Sequence, residues 1–257
     1  MPMPRFSTTF APVFCLALLA CGPQSPPPAV EIAAPTPALP NTLTPAEAAE
    51  GWELLFDGQS TSKWRGYNQT NFPAYGWGIK DGELQVYHSG TEEAGAGGDI
   101  ITRDSFTDFI LSVDYALSDT ANSGIFYLVT ESPNTPIWHQ APEFQLLDDN
   151  TYRQIMDLTD KQYSGANYDM HPQTKDHSKP LGEWNTARIE KRGLNISHYL
   201  NDSLVVAYTL YDADWLARYQ ASKFAQYPAY ARASTAAIGL QDHGHLVRFR
   251  NLKIKRL

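Results

Sequence analysis

The amino-acid sequence predicts an all-β fold, built as an antiparallel sandwich of two sheets. About a dozen short runs with strand character are separated by turns at short intervals, and only one long stretch has helical character. Aromatic residues make up 12% of the chain, with 14 Tyr and 6 Trp, and such side chains are frequent in strands. Because no internal repeat is visible, a jelly roll of the lectin and glucanase kind is favoured over a propeller.

The first 20 residues resemble a leader that directs the chain to the cell envelope. Arg5 precedes an apolar run from Phe10 to Ala20, which is too short to span a bilayer. The run ends in Leu-Leu-Ala-Cys, which resembles a bacterial lipobox and makes Cys21 the predicted lipid attachment site. Gly22 rather than Asp follows, which favours an outer-membrane address in a bacterium with two membranes. The alternative is an ordinary secretory leader with a chance cysteine.

The remainder divides into a tether and one domain. Residues 21–45 are rich in Pro and Ala and nearly uncharged, which predicts an extended tether, and residues 46–257 are expected to form the folded domain. With Cys15 inside the leader, the mature chain keeps only Cys21, so no internal disulfide or thiolate metal site is expected. A net charge of -8 and scattered basic residues argue against nucleic acid as a partner, and the lipid anchor is the only membrane contact expected.

Alternation of apolar and polar residues places the strands. They are predicted at 52–56, 77–79, 83–87, 100–102, 109–117, 123–129, 184–192, 194–200, 203–209, 235–241 and 246–254. Asp81-Gly82 is typical of a hairpin turn. In the last strand the apolar positions change from odd to even numbers near Asn251, which predicts a β-bulge there.

Helical signals are few. Thr44-Pro45-Ala46-Glu47 predicts a capped helix that ends near Glu50, and Asp212 to Tyr230 predicts one surface helix with Trp215 and Tyr219 on one side. Residues 151–179 are expected to form a long irregular loop, which is usually functional in a compact domain.

The run Glu143-Phe-Gln145-Leu predicts the strand around which a binding surface would form. Glu143 and Gln145 share the face that is expected to be solvated, and Phe144 and Leu146 point into the core. A carboxylate beside an amide can grip a polyol and accept a proton. The alternative is a solvent-facing strand with ordinary polar residues.

A second candidate surface lies in the run from Thr235 to His243. Its odd positions are small at one end and polar at the other, which leaves room for a ligand beside Gln241 and His243. Asn122 opens a strand after an exposed loop, where it can cap a turn or reach a ligand hydroxyl.

Two other chemistries are disfavoured. The remaining histidines in loops lack metal-ligand spacing, so a histidine-based zinc site is not expected. A retaining glycosidase needs two neighbouring carboxylates, but Glu143 and Asp148 fall on opposite faces of a straight strand, and Gln145 stands where a second acid would be convenient.

Several motifs together resemble the 3-keto-disaccharide hydrolase family, over about residues 50–257. They occur in the order of the family and comprise Leu55-Phe56-Asp57-Gly58 with Trp64, Asn122-Ser123-Gly124-Ile125-Phe126-Tyr127, Glu143-Phe-Gln145-Leu-Leu-Asp148, Gly182-Glu-Trp184-Asn185, Ser222-Lys-Phe224, and Leu240-Gln241-Asp242-His243-Gly244 with Phe249-Arg250-Asn251. Phe144 stands where many relatives are expected to carry Tyr. The resemblance implies a concanavalin-like jelly roll, secreted or lipid-anchored, that acts on 3-keto-glycosides.

The implied chemistry starts at the acidic C2 proton beside the ketone. A base removes this proton, the C1 substituent leaves, and water adds to the enone. Under this hypothesis Glu143 and His243 share acid and base duty, and Gln145, Gln241 and Asn122 hold hydroxyls. Arg103 or Lys191 stabilises the enolate, or a divalent ion bound by Asp148 or Glu143 does so instead. No other cofactor is expected.

Two rival functions remain open at this point. A non-catalytic, lectin-like lipoprotein would use the same polar strand face with Trp and Tyr platforms, and a conventional endoglucanase would cleave unoxidised glucan. A titratable pair facing one pocket would favour catalysis over binding.

Overall fold

The strands and helices follow the alternation and capping signals closely. A computed structural model describes residues 1–3, 39–90 and 95–257 of the chain. Cys21 and the predicted tether up to residue 38 lie outside the described residues. The domain limits proposed from the sequence stay a prediction.

Thirteen strands are described. They are β1 Trp52–Leu54, β2 Trp64–Gly66, β3 Trp77–Lys80, β4 Glu83–Val86, β5 Ile100–Thr102, β6 Phe109–Leu117, β7 Asn122–Val129, β8 Glu143–Leu147, β9 Asn185–Arg192, β10 Asn195–Leu200, β11 Ser203–Thr209, β12 Ala237–Leu240 and β13 Val247–Arg256. The three-residue strand β2 was not predicted.

The strands form two antiparallel sheets, which confirms the predicted sandwich. The larger sheet has the order β11-β10-β9-β6-β13-β4-β3, with β1 also paired to β13. The smaller sheet has the order β2-β5-β12-β7-β8. Alternate side chains from the facing surfaces fill the core, among them Tyr115 and Phe249 from the larger sheet and Tyr127 and Phe144 from the smaller one.

The outer face of the smaller sheet carries a second apolar layer. Ile101, Phe126, Val129 and Ala237 from its strands pack with Ile137 and Ala141, which belong to the segment that precedes β8. Consequently all five residues of β8 are buried, and the prediction that Glu143 and Gln145 share a solvated face is wrong as to exposure. The predicted alternation of faces nevertheless holds.

The bulge predicted near Asn251 is present in β13. The register with β6 shifts between Arg250 and Lys253, and Asn251 has a φ of 50°. Asn251 and Asn41 exchange hydrogen bonds between side-chain oxygen and backbone N–H, at 2.6 and 2.8 Å. Asn tolerates this left-handed conformation better than most residues, which places the bulge here.

The helices are α1 Pro45–Ala49, α2 Asp149–Ile155 and α3 Ala213–Ala221, with short 3-10 helices at Ile137–His139, Asp160–Gln162 and Lys223–Gln226. Thr44 caps α1 with the predicted capping box. The prediction of one helix over 212–230 is wrong at its end, because the Ser222 hydroxyl donates to the Tyr219 carbonyl and accepts from the Phe224 N–H. The predicted loop at 151–179 contains most of α2.

Among the described residues, no helix combines the length and apolarity needed to cross a bilayer.

Candidate active site

A cavity of about 450 Å³ opens on the outer face of the smaller sheet. Its floor is formed where β12, β7 and β8 run side by side. The Gln241 N–H donates to the Gly124 carbonyl at 3.0 Å, and Gly124 is paired with Gln145. The antiparallel register therefore sets Gln241 and Gln145 on either side of a glycine that leaves space above the sheet.

Glu143 lies two residues before Gln145, on the same face of β8. Its carboxyl group occupies the space above Gly124. A Cβ atom at Gly124 would overlap that carboxyl group, so glycine at this position lets Glu143 keep its place. The Glu143 residue is only 6% exposed. Burial raises the pKa of Glu143 to about 8, with a further increase from the charge of Asp99, and nearby Lys223 opposes the shift only in part. Glu143 therefore keeps its proton at neutral pH.

Asp99 also lines the cavity and was not predicted from the sequence. Its carboxylate accepts a hydrogen bond from the Asp242 N–H at 3.0 Å, and its carbonyl accepts from the Tyr67 N–H at 2.8 Å. Burial raises the pKa of Asp99 to about 7, and the charge of Asp242 adds to the effect. The cavity thus contains the second carboxyl group that the spacing of Glu143 and Asp148 did not provide.

The glycines before Asp99 explain how this carboxylate reaches the cavity. A Cβ atom at Gly95 would overlap the Asp242 carboxylate, and one at Gly97 would crowd the Tyr75 carbonyl. The Gly97 N–H donates to Asp242 at 2.9 Å. This close packing was not visible in the sequence, where the Gly- and Ala-rich run indicates only a mobile loop; the signal available was an acidic residue at the start of β5.

His243 lines the same cavity, three residues beyond the end of β12. Its Nδ1 atom is buried and has no hydrogen-bond partner among the described residues. The pairing of β7 with both β8 and β12 therefore brings Glu143 and His243, which are far apart in the sequence, into one cavity.

Three amide side chains complete the polar floor. Gln145 donates to the Asn122 side-chain oxygen at 3.3 Å. The side-chain oxygen of Gln241 is buried without a partner in the described part of the chain. Amides with unused hydrogen-bonding groups suit a ligand that carries several hydroxyl groups.

Aromatic side chains and one lysine form the walls. Tyr67, Trp138, Tyr152 and Tyr168 line the cavity together with Lys223. The Tyr67 hydroxyl accepts from the Gln140 side chain at 3.2 Å, which fixes the ring. Lys223 was not singled out from the sequence because it lies in a stretch with helical character, where a lysine is an ordinary surface residue.

Three predicted site residues lie elsewhere. Arg103 is exposed and donates to the carbonyls of Ser62 and Thr70. Lys191 is buried on β9 of the larger sheet and pairs with Asp108 at 3.0 Å. Asp148 caps α2, with carboxylate oxygens that accept from the N–H groups of Thr151 and Thr120.

The structure therefore gives Arg103, Lys191 and Asp148 no contact with the cavity floor. Among the described residues, no group of three or more His, Cys, Asp or Glu side chains has the arrangement of a metal site.

A second cavity of about 520 Å³ lies on the other side of Leu147. It contains the carboxylate of Asp149 and the hydroxyl of Tyr115, and each has a buried oxygen without a hydrogen-bond partner among the described residues. Burial, with a contribution from the charge of Asp176, raises the pKa of Asp149 to about 6.

Comparison with known proteins decides the family. The family described as the 3-keto-alpha-glucoside-1,2-lyase-like domain matches residues 51–255. The chain belongs to this 3-keto-glucoside lyase-like family. A relative from Bacteroides thetaiotaomicron, named 3-keto-disaccharide hydrolase, is 36% identical over 231 residues, which are 81% of this chain and 79% of the relative.

Solved structures agree with the family assignment. A protein of Parabacteroides distasonis, provisionally assigned as a glycosyl hydrolase, is 31% identical and superposes with a TM-score of 0.76, over 85% of this chain and all of its own. A second protein of that organism, at 24% identity and a TM-score of 0.61, supports the fold alone. The family predicted from the sequence motifs is confirmed, as is the prediction that this 3-keto-glucoside lyase-like protein is an enzyme.

Proposed function

We propose that this protein cleaves 3-keto-glycosides by elimination across C1 and C2, followed by addition of water. Membership of the 3-keto-glucoside lyase-like family and the name of the Bacteroides relative support the substrate class. The observation that carries the proposal is that Glu143, Asp99 and His243 line one cavity with three amide side chains. A binding surface needs amides and rings, but it does not need several titratable groups in one pocket.

The proposed reaction uses the acidity that a C3 ketone gives to the neighbouring C2 proton. A base takes that proton, and the electrons of the C2–H bond form a C2–C3 double bond, which leaves negative charge on the C3 oxygen. When the C3 carbonyl re-forms, the C2–C3 electrons form a C1–C2 double bond, the bond from C1 to the leaving oxygen breaks, and that oxygen takes a proton from an acid. Water then adds to C1 of the enone.

The surroundings of Glu143 and His243 indicate which of them acts as the acid and which as the base. Glu143, protonated at neutral pH, donates to the leaving oxygen, and the charge of Asp99 helps to keep that proton in place. His243 lines the same cavity as Glu143, and its imidazole is the proposed acceptor of the C2 proton. This division refines the hypothesis that Glu143 and His243 share the two roles.

Binding of the sugar is assigned to the rest of the lining. Asn122, Gln145 and Gln241 bind hydroxyl groups, and the rings of Trp138 and Tyr67 provide apolar faces for a pyranose ring. Together they hold the C2 proton and the C1 oxygen within reach of His243 and Glu143.

The first experiment compares an oxidised and an unoxidised substrate of the same linkage. The full chain is incubated with a 3-keto-disaccharide, with the parent disaccharide and with a soluble glucan. Release of 3-keto-glucose from the first alone is expected. Binding of all three without cleavage would instead establish the lectin-like function, and cleavage of the glucan would establish a conventional endoglucanase.

We also propose that the enzyme is anchored in the bacterial cell envelope, facing the periplasm from the outer membrane, through a lipid on Cys21. The support is the Leu-Leu-Ala-Cys run that ends the apolar leader. Changing Cys21→Ala is expected to move the protein from the membrane fraction to the soluble fraction. An unchanged distribution would contradict the anchor.

A further inference from the structure

We propose that Lys223 is a catalytic residue whose ammonium group stabilises the negative charge on the C3 oxygen when the C2 proton is removed. This inference rests on the proposed function and adds the cation that the reaction requires. Arg103 and Lys191, the cations suggested by the sequence, lie away from the cavity.

The composition of the lining leads to Lys223. Among the described residues that line the cavity, it is the only lysine or arginine. The two carboxylic acids of the lining, Asp99 and Glu143, would repel an enolate whenever they are charged. Stabilisation of the developing oxyanion therefore falls to Lys223 and to the neutral amides.

Aromatic rings hold the Lys223 ammonium group. Its Nζ atom lies 4.5 Å from the centre of the Trp138 ring and 4.7 Å from that of the Tyr168 ring. The ring of Phe224 is 5.4 Å away. Cation–π attraction of this kind positions an ammonium group without using its N–H donors on a fixed oxygen.

Contacts with the rest of the fold fix the positions of these rings and place Lys223 near Glu143. The Tyr168 N–H donates to the Glu143 carbonyl at 3.0 Å, so the ring that contacts Lys223 stands beside the strand that carries the acid. Phe224 is buried and stacks on Tyr230 at 4.1 Å, and Ser222 caps the turn that begins at Lys223. The closeness is also electrostatic, because Lys223 lowers the pKa of Glu143 against the effect of burial.

The donors of Lys223 are unused in the described part of the chain, where no hydrogen bond or ion pair of its ammonium group occurs. Two other lysines differ: Lys191 pairs with Asp108 at 3.0 Å, and Lys179 donates to the Trp184 carbonyl at 2.9 Å. An ammonium group that lines the cavity and has free N–H donors can donate a hydrogen bond to an oxygen of the substrate.

In the proposed step the C2–H bond breaks and its proton passes to the base. The electrons of the C2–H bond form a C2–C3 double bond, and the π electrons of the C3 carbonyl move onto its oxygen, which accepts a hydrogen bond from the Lys223 ammonium group. No proton need leave Lys223, because the carbonyl re-forms as the C1–O bond breaks.

The test separates enolate formation from cleavage by using a substrate without a leaving group. Exchange of the C2 hydrogen of 3-keto-1,5-anhydroglucitol into D2O is followed by NMR with the full chain. Lys223→Met is expected to slow exchange about 100-fold, whereas Lys223→Arg should retain most of the rate. Lys175→Met, which removes the same charge from an exposed loop residue, should exchange as the wild type does.

A second readout uses the coupling with Glu143. Removing the ammonium group should raise the pKa of Glu143 further, so the alkaline limb of the cleavage profile should move to higher pH in Lys223→Met but not in Lys175→Met. A limb that stays in place in Lys223→Met would contradict the closeness of the Lys223 charge to Glu143, on which the inference rests.

The outcomes distinguish this inference from the proposed function. If the wild type exchanges C2 hydrogen and Lys223→Met or Lys223→Gln keeps pace, the role of Lys223 is wrong and the elimination stands. If the folded wild type neither exchanges C2 hydrogen nor releases product, the proposed function fails and the role of Lys223 fails with it.

Discussion

At the residue scale, the chemistry depends on how the protein holds a carboxyl group without much water. The Glu143 side chain lies over Gly124, where a Cβ atom would overlap its carboxyl group. Its burial favours the neutral form, and Asp99 reinforces that preference while Lys223 limits it. A neutral carboxyl group at pH 7 can protonate a leaving oxygen, which an ordinary exposed glutamate cannot do efficiently.

The acid role of Glu143 predicts the pH dependence of cleavage. The active form carries the proton, so kcat/KM should fall as pH rises through about 8, where the Glu143 carboxyl group loses it. A pH series of initial rates with a 3-keto-disaccharide measures this limb. A rate that rises steadily through that range would show that the charged form of Glu143 is the active one.

The same role predicts that Glu143→Gln is sensitive to the leaving group. Cleavage of a 3-keto-disaccharide should fall about 100-fold or more, because a sugar alcohol leaves poorly without a proton. A 3-keto-glucoside of 4-nitrophenol should lose much less, because nitrophenoxide leaves unaided. Equal losses for the two substrates would assign Glu143 to another step.

The sequence predicted those site residues that lie on strands with a clear alternation of polar and apolar positions. Glu143, Gln145 and Gln241 stood out because polar residues repeated at every second position of recognisable strands. Asp99 and Lys223 did not, because one follows a glycine-rich run and the other lies beside a helix, where a single charged residue has no pattern. The roles suggested for Arg103 and Lys191 could not be checked without their neighbours, since a cation in the sequence does not show whether it meets a carbonyl, a carboxylate or a cavity.

At the element scale, the end of β8 and the start of α2 form one unit. Asp148 links them by accepting hydrogen bonds from the N–H groups of Thr151, at 3.2 Å, and Thr120, at 3.0 Å. The helix that it caps brings Tyr152 to the wall of the active-site cavity. Asp148 therefore supports the site by position, which is a different role from the metal ligand suggested by the sequence.

Replacing Asp148→Ala should lower the free energy of unfolding by about 1–2 kcal/mol, because α2 loses its N-cap and the half-buried Thr120 N–H group loses its acceptor. Urea unfolding measures the loss, and Asp157→Ala, an exposed aspartate just beyond α2, is the matched control. If the two variants are equally stable, the cap contributes nothing.

Strand and helix features were predicted correctly where a local sequence pattern decides them. They were mispredicted where packing against other segments or a side-chain hydrogen bond decides them. The bulge at Asn251 followed from a change of parity that only an extra residue produces. The exposure of β8 was mispredicted because Ile137 and Ala141, in the segment just before it, add an apolar layer on the outer face of the sheet, which strand alternation does not show. The helix beginning at Asp212 was predicted to be too long, because Ser222 satisfies backbone groups by itself and ends it.

At the scale of the whole molecule, two cavities in the described part of the sandwich hold carboxyl groups in different surroundings. The active-site cavity uses its buried carboxyl groups, whereas the cavity beyond Leu147 contains Asp149 with one unpartnered oxygen. A buried charge without a described counter-ion costs stability, and natural proteins carry such costs in a few places.

Asp149 makes a predictable contribution to the pH dependence of stability. Its pKa is raised to about 6 in the folded protein from 3.8, so the folded state binds the proton more tightly. The resulting stabilisation is complete below the unfolded pKa and is lost as pH rises through about 6, on the order of 3 kcal/mol in all. Urea unfolding at pH 4 and pH 7 should show this loss in the wild type and a smaller one in Asp149→Asn, which should be the more stable of the two at pH 7; identical differences would contradict it.

The sandwich could be predicted from the sequence, but the arrangement of its strands could not. Short alternating runs and turns are sufficient for a two-sheet β fold, and the motifs were sufficient for the family. The order β2-β5-β12-β7-β8 joins segments more than one hundred residues apart, and only this pairing brings Asp99, Glu143 and His243 into one hollow.

The central claim, that the C2 hydrogen is removed before the C1 bond breaks, is tested most directly by following that hydrogen. A 3-keto-disaccharide deuterated at C2 is cleaved in ordinary water, and the released 3-keto sugar is analysed by mass spectrometry at early times, beside 3-keto-glucose deuterated at C2 and incubated without enzyme. The account predicts that the enzymatic product has lost its deuterium while the control retains it. A product that keeps the C2 deuterium would show direct displacement at C1 and would contradict the account.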